Sequence, residues 1–182
     1  MCGFAGFVGE VENREQVLEN MIDTIIHRGP DSSGKFVDED AALGFRRLSI
    51  IDLSESGDQP LYNEDRSKVL VFNGEIYNYQ ELREELIQAG HTFVSNTDSE
   101  TLIHGYEQWG EELVYRLRGM YAFAIWDQKA KRLFSARDIF GIKPLYYAQM
   151  NGTLMFGSEI KSFLEHPKFD KVFNEDALGN YL

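Results

Sequence analysis

The residue best placed to do chemistry is Cys2, the only cysteine of the chain, standing behind an initiator methionine of the kind cells often remove when the second residue is small. Loss of Met1 would leave a thiol and a free α-amine on one carbon skeleton. An α-amino group titrates at about 7.7 to 8, so roughly a sixth of it is neutral at pH 7, whereas a lysine amine near 10.4 is neutral less than about 0.1% of the time. The terminal amine is therefore a usable base. A free thiol with a pKa of about 8.5 is only a few per cent thiolate at pH 7, so a base beside it raises the reactive fraction directly. Both needs are met at Cys2, but only after Met1 is gone, because an amide nitrogen has no useful basicity. The plainer alternative is a small buried hydrophobe near a terminus, a common place for free cysteine.

Other candidates are spread along the chain. The segment NGEIYN at 73–78 follows the apolar run VLVF, so Asn73 and Gly74 stand where a strand turns. There they offer a side-chain amide and an unhindered backbone N–H, donors that in acyl transfer are each worth about 3–4 kcal/mol of transition-state stabilisation. An ordinary Asn-Gly turn explains the same pair without function. Arg47, in FRRLSIID, carries the planar guanidinium that holds a carboxylate in two parallel hydrogen bonds, while Arg46 is left to face solvent. Asp98, in NTDSE, could bind an ammonium or cap the helix that follows it, and Glu75 is equally ambiguous. His27, His91, His104 and His166 show no metal-ligand spacing, so structural hydrogen bonding is expected of each and no metal is assigned.

The elements that must position these residues are legible in outline. MCGFAGFVG reads as a short buried strand. Val17, Leu18, Met21, Ile22, Ile25 and Ile26 recur at helical spacing behind a capping pair, Asn13 and Gln16. RGPDSSG at 28–34 is turn chemistry throughout, and FV, AALGF and VLVF then read as short strands. Asn78 with Glu81 starts a helix from about Tyr79 to Ala89, ended by Gly90; Leu102, Ile103, Tyr106 and Trp109 predict another after Asp98. YAFAIWD, RLFSARD, LYYAQ and TLMFGSE form a run of strands joined by short turns, as antiparallel hairpins are. NEDALGNYL begins a helical pattern without a cap, which suggests the front part of something longer.

Composition narrows the function classes. A chain of 182 residues, 43% hydrophobic, suffices for one domain with a sizeable core. Its 30 acidic and 18 basic residues give a formal charge of -12, which repels nucleic acid and anionic membrane surfaces and favours a small-molecule ligand. No apolar run approaches the ~20 residues of a membrane span and no signal-peptide pattern opens the chain, so a cytoplasmic location is expected. One cysteine excludes an internal disulfide and a cysteine-rich metal site.

Taken in order, MCGFAGF, HRGPD, RRLSIID, QPLYN, NGEIYN, TDSE, GMYAFAIWD and RDIFGIKPLYY resemble the glutaminase domain of glutamine-dependent asparagine synthetases, over nearly the whole chain. The resemblance implies an α+β fold, a four-layer αββα sandwich of two antiparallel sheets of the N-terminal-nucleophile hydrolase type, with residues 1–182 forming one amidotransferase domain. It also implies roles: Cys2 as nucleophile, its α-amine as base, and Asn73 with the Gly74 N–H as oxyanion hole. Arg47 would take the glutamine α-carboxylate, Leu48, Ser49, Ile50 and Ile51 would shape the pocket, and Glu75 and Asp98 would meet the α-amino end. L-Glutamine would be hydrolysed to glutamate through a thioester, and the ammonia would pass in cis to a synthetase domain that makes asparagine from aspartate. That domain would open with a glycine-rich, serine-containing pyrophosphate loop, absent from this sequence, so ATP and magnesium belong only to it and no cofactor is expected here. A homodimer is compatible with this picture; nucleic acid and membrane are not expected partners. Two alternatives stay open: a domain that binds glutamine or docks without turnover, and an enzyme whose ammonia goes to a sugar, a phosphoribosyl group or another acid.

Overall fold

Alternation of side chains along strands sorts the residues onto opposite sheet faces, and that sorting builds the architecture. The computed structural model describes residues 2–48, 58–172 and 175. The chain runs β1 (Gly3–Val8), α1 (Arg14–Asp23), β2 (Ser32–Val37), β3 (Ala41–Arg47), β4 (Leu61–Tyr62), β5 (Lys68–Ile76), α2 (Tyr79–Gln88), α3 (Asp98–Trp109), α4 (Leu113–Arg116), β6 (Gly119–Asp127), β7 (Arg132–Arg137), β8 (Tyr146–Met150) and β9 (Thr153–Gly157). One sheet has the order β2-β3-β1-β9-β8 and the other β4-β5-β6-β7, every ladder being antiparallel.

The central strands of each sheet, β1 and β3 in one and β5 and β6 in the other, bury both faces, so apolar layers lie at three levels. Ala5 and Phe7 of β1 and Ala42 of β3 point outward against Leu18, Met21 and Ile22 of α1 and Phe163 of a 3-10 helix, Ile160–Glu165. Leu70, Phe72 and Ile76 of β5, with Phe123 and Ile125 of β6, point outward against Leu82 of α2 and Leu102 and Ile103 of α3. Between the sheets lie the other members of the same strands: Phe4, Ala41, Leu43, Phe45, Val69, Val71, Ala122, Ala124 and Trp126. At about 1.5–3 kcal/mol for each large buried side chain, these layers dominate the drive to fold. The result is helix, sheet, sheet, helix, the expected αββα sandwich. Close approach of α1 requires Gly44, where a Cβ would lie 2.5 Å from Ile22 Cγ2.

Several local expectations are corrected. Asn13 is the N-cap of α1, but with φ 53° and no side-chain cap bond; Gln16 instead donates to Asn20 Oδ1 at 2.9 Å. Helix α1 ends at Asp23, so Ile25 is buried outside it and Ile26 is 49% exposed in a following 3-10 turn. The turn predicted over 28–34 yields to sheet pairing from Ser32 onward. Asn78 does precede α2, yet its side chain bonds Arg116 O and the Arg118 N–H rather than the helix. β5 does not turn after VLVF: Asn73 and Gly74 continue the strand, opposite Ala122 and Tyr121, which removes both the turn that was to present them and the plain Asn-Gly explanation. The pattern expected over 174–182 lies outside the described residues, Glu175 excepted.

Candidate active site

The period of two that fills the inter-sheet layer also aims the polar candidates. On β3, Ala41, Leu43 and Phe45 face the other sheet, and Arg47 is next in that series. On β5 the series is Val69, Val71, Asn73, and at the start of β1 it is Phe4 and, one step earlier, Cys2. Gly3 pairs with Arg46, so Cys2 and Arg47 come side by side. The apolar filling stops here, and a cleft of about 540 Å³ opens, lined by Cys2, Phe45, Arg47, Leu48, Phe72, Asn73, Gly74, Glu75 and Asp98 among others. That volume falls within the range of small-ligand pockets.

Alternation also explains the two arginines. Arg46 points the opposite way from Arg47, onto α1, and is not solvent-facing: it is buried, Nε donates to Ile22 O at 3.2 Å, and the guanidinium pairs with Asp23 and Glu19. Arg47 is buried at the cleft wall, with Nη1 donating to Asp58 Oδ1 at 2.7 Å. Asp58 is half exposed, so a ligand carboxylate would share or displace this contact.

Cys2 Sγ lies in the backbone of Leu48, accepting from its N–H at 3.4 Å and facing its carbonyl oxygen at 3.7 Å. The Cys2 carbonyl accepts from Arg28 Nε at 3.0 Å, and Arg28 in turn donates to Glu159 at 3.1 Å. This fixes the residue from both sides of its own backbone. Asn73 is 3% exposed, and its Nδ2 is buried without an acceptor among the described residues. A buried amide donor left unpaired costs about 1–3 kcal/mol, so its retention beside a thiol in a cleft points to an oxygen that arrives with a ligand.

Gly74 occupies a strand position that only glycine fits, since a Cβ would lie 2.3 Å from Met120 O. Its N–H direction follows from its neighbours. Tyr121, opposite Gly74, uses its N–H and carbonyl toward Asp138, on the far side of β6. Phe72 gives both backbone groups to the Gln59 side chain at 2.6 and 3.1 Å, and the Ile76 N–H goes to Asp98 Oδ2 at 2.9 Å. Gly74 lies between these two in the same alternation, so its N–H points to the same edge of β5, into the cleft.

Asp98 is the first residue of α3, with Thr97 at the cap position; its carboxylate faces the first backbone N–H groups of the helix and also accepts from the Ile76 N–H, which ties α3 to β5. Burial raises its pKa, backbone N–H donors oppose the rise, and the charge of Glu75 adds to it. Two carboxylates on one cleft wall favour a cation between them. Ser49, Ile50 and Ile51 lie outside the described residues.

Some residues of the cleft carried no signal in isolation. Gln59 matters because it consumes the Phe72 backbone, and Asn96, Thr97 and Lys143 line the cleft from loops. Asp138 is buried and accepts from the N–H groups of Phe140, Ile142 and Lys143, holding the loop that brings Lys143 to the cleft; burial would raise its pKa, but these donors outweigh it and the pKa falls. Of the histidines, His27 contacts Glu159 at 2.8 Å. His166 is buried, accepts from the Lys168 N–H, and is kept neutral by burial with a pKa lowered to about 4.

Comparison with known proteins gives the family and the fold. The chain matches the family described as glutamine amidotransferase domain over residues 1–182. It is 46% identical to glutamine-hydrolyzing asparagine synthetase 1 of Bacillus subtilis (strain 168), over all of this chain and 29% of that protein. It is 44% identical to the glutamine-hydrolyzing asparagine synthetase of Zea mays, over 89% of this chain and 28% of that protein. The chain thus spans less than a third of these relatives' length. The fold is that of glutamine phosphoribosylpyrophosphate amidotransferase from B. subtilis, solved with ADP and GMP, at a TM-score of 0.75 and 22% identity over 89% of this chain and 43% of that one. A structure described as the allosteric regulatory enzyme of purine biosynthesis superposes at a TM-score of 0.78, with 22% identity over 90% of this chain and 43% of that one.

Proposed function

The chain belongs to the glutamine amidotransferase domain family, and from that premise we propose that it hydrolyses L-glutamine to L-glutamate and ammonia through a thioester on Cys2. The observation that carries the proposal is the unpaired, buried Asn73 Nδ2 on the same cleft as the Cys2 thiol. With Met1 removed, the α-amine of Cys2 takes the thiol proton as sulfur attacks the side-chain amide carbon of glutamine. The carbonyl oxygen, now negative, accepts from Asn73 Nδ2 and the Gly74 N–H. The same amine then protonates the departing nitrogen, ammonia leaves, and water hydrolyses the thioester by the reverse use of the same groups. Arg47, sharing its guanidinium with Asp58, takes the α-carboxylate, and Glu75 with Asp98 takes the α-ammonium. The Leu48 backbone holds the sulfur in place.

Ammonia is the useful product in this reading, consumed by a synthetase domain of a longer protein in ATP-dependent conversion of aspartate to asparagine. The relatives that are themselves asparagine synthetases favour this acceptor over a phosphoribosyl group. A docking surface for such a domain is available: Ile139 is 91%, Phe140 85% and Ile142 55% exposed, on the loop that ends at Lys143 of the cleft. ATP and magnesium would be needed only there, and the amidotransferase half would require no cofactor. The charge of -12 and the finding that no described helix is long and apolar enough to cross a membrane suit a cytoplasmic domain with no nucleic-acid or membrane partner.

Intact mass and a glutaminase assay on the same sample test the proposal. Chains lacking Met1 should release glutamate and ammonia from glutamine, chains retaining it should not, and Cys2→Ala should fold normally and lose at least about 10⁴-fold in kcat. Undiminished turnover by Cys2→Ala would sink the mechanism.

A further inference from the structure

Remote from the cleft, three side chains converge that lie far apart along the chain or on one helix face. His91 follows α2, while His104 and Glu107 stand one turn apart on α3. His104 Nδ1 is 3.1 Å from Glu107 Oε2, His91 Nδ1 is 3.9 Å from the same oxygen, and the three ligand atoms lie within 4.8 Å of one another. A tetrahedral site with metal–ligand bonds of about 2.0–2.1 Å sets its ligand atoms about 3.3 Å apart, so a small inward rotation of His91 completes three corners. Glu64 Oε1, on the connection between β4 and β5, is 3.8 Å from His104 Nδ1 and can supply a fourth.

The outer contacts of these ligands are those a metal site needs. His91 Nε2 lies 3.1 Å from Gln108 Oε1, His104 Nε2 lies 3.6 Å from Glu100 Oε1, and Glu107 Oε1 accepts from Asn63 Nδ2 at 2.7 Å. The Gln108 oxygen beside His91 Nε2 favours a proton there and leaves the His91 Nδ1 lone pair facing Glu107, whereas His104 donates from Nδ1 to Glu107 in the free protein, so a metal would displace that proton and leave Nε2–H facing Glu100. We infer that His91, His104 and Glu107, with Glu64, form a binding site for a zinc-class divalent cation.

Two imidazoles with carboxylate favour Zn²⁺, Co²⁺, Ni²⁺ or Cu²⁺ over Mg²⁺ and Ca²⁺, which take oxygen ligands. A proton can fill the same place: burial opposes the His104 imidazolium, but Glu107, Glu64 and Glu100 together raise its pKa. Metal and proton therefore compete. The site is distinct from the glutaminase cleft, since Glu107 lies roughly 13 Å along the axis of α3 from Asp98. It would fasten the start of the connection whose other end, Asn96 to Asp98, lines that cleft.

Cys2 is itself a soft ligand, so the test uses Cys2→Ala protein, titrated with Co²⁺ and then Zn²⁺. One Co²⁺ per chain should bind with the visible absorption of a four- or five-coordinate nitrogen and oxygen site, and Zn²⁺ should displace it. Adding His91→Ala should weaken Co²⁺ binding at least tenfold with an unchanged circular dichroism spectrum, and Glu107→Gln should do the same. His91 is partly exposed and Glu107→Gln keeps the side-chain shape, so one of the two will remain folded. Failure of the folded parent to bind Co²⁺ at micromolar concentration, or binding unaltered in a folded variant, overturns the site.

Discussion

The two ends of the inter-sheet layer are built from the same strands and end in opposite states of hydrogen bonding. At the end formed by the start of β3 and the end of β6, Trp126 is buried and its Nε1–H donates to Asp38 Oδ2 at 2.8 Å, while Asp38 Oδ1 accepts from the N–H groups of Asp40 and Ala41. Nearby, Asn63 uses both its oxygen and its nitrogen, toward Lys68, Asp65, Ser67 and Glu107. At the other end the layer closes on Arg47, Cys2 and Asn73, and the Asn73 amide nitrogen is left unpaired among the described residues. One end is finished as structure; the other keeps a donor that the proposed substrate would satisfy. Equal burial with unequal satisfaction is what separates a core polar group from a catalytic one.

The sharpest way to break this comparison is to delete the unpaired amide. Asn73→Ala should cost about 10²–10³-fold in kcat, as loss of an oxyanion donor does, without lowering the urea midpoint, because no native bond is lost. A variant that kept its activity but unfolded earlier would put Asn73 in the same class as Asn63. The mirror experiment is Trp126→Phe, which strands Asp38 Oδ2. It should destabilise by about 1–3 kcal/mol and leave glutaminase kcat unchanged.

A smaller effect comes from Asp98, whose pKa burial has raised. A carboxyl whose folded pKa exceeds its unfolded value contributes stability at low pH and loses it as pH rises through the folded value. The ionised form is therefore a cost to the free domain that a bound ammonium would offset. Glutamine KM should rise as pH falls through the Asp98 pKa of the free enzyme, by at most about tenfold per unit. Asp98→Asn retains an acceptor for the Ile76 N–H, so it should raise KM at neutral pH, remove this pH dependence and leave Tm unchanged or higher. A fall in Tm would mean that the carboxylate serves the fold rather than the substrate.

Much of this was legible without coordinates where one local period decides the outcome. Apolar alternation in AALGF and VLVF, and the spacing of Leu102, Ile103 and Tyr106, give strands and a helix because those patterns bury one face against any partner. The chemical pairing at Cys2 is equally local, since thiol and amine share a residue. What failed were statements about direction. Whether Asn73 and Gly74 end a strand or continue it depends on β6 lying alongside. Whether Arg46 or Arg47 meets solvent depends on α1 covering one face of β3. The convergence of His91 with His104 depends on how α2 and α3 pack, and no spacing along the chain contains it.

The sequence by itself determined which residue pairs a thiol with the chain's terminal amine once Met1 is removed, the residue types of the cleft and the order of the elements, because these follow from covalent neighbours and from periodicity. Only the tertiary structure decided which of those residues face one another, which donors remain unpaired and which carboxylates are desolvated. Those properties belong to surfaces that exist only once separate strands and helices have closed on each other and excluded water.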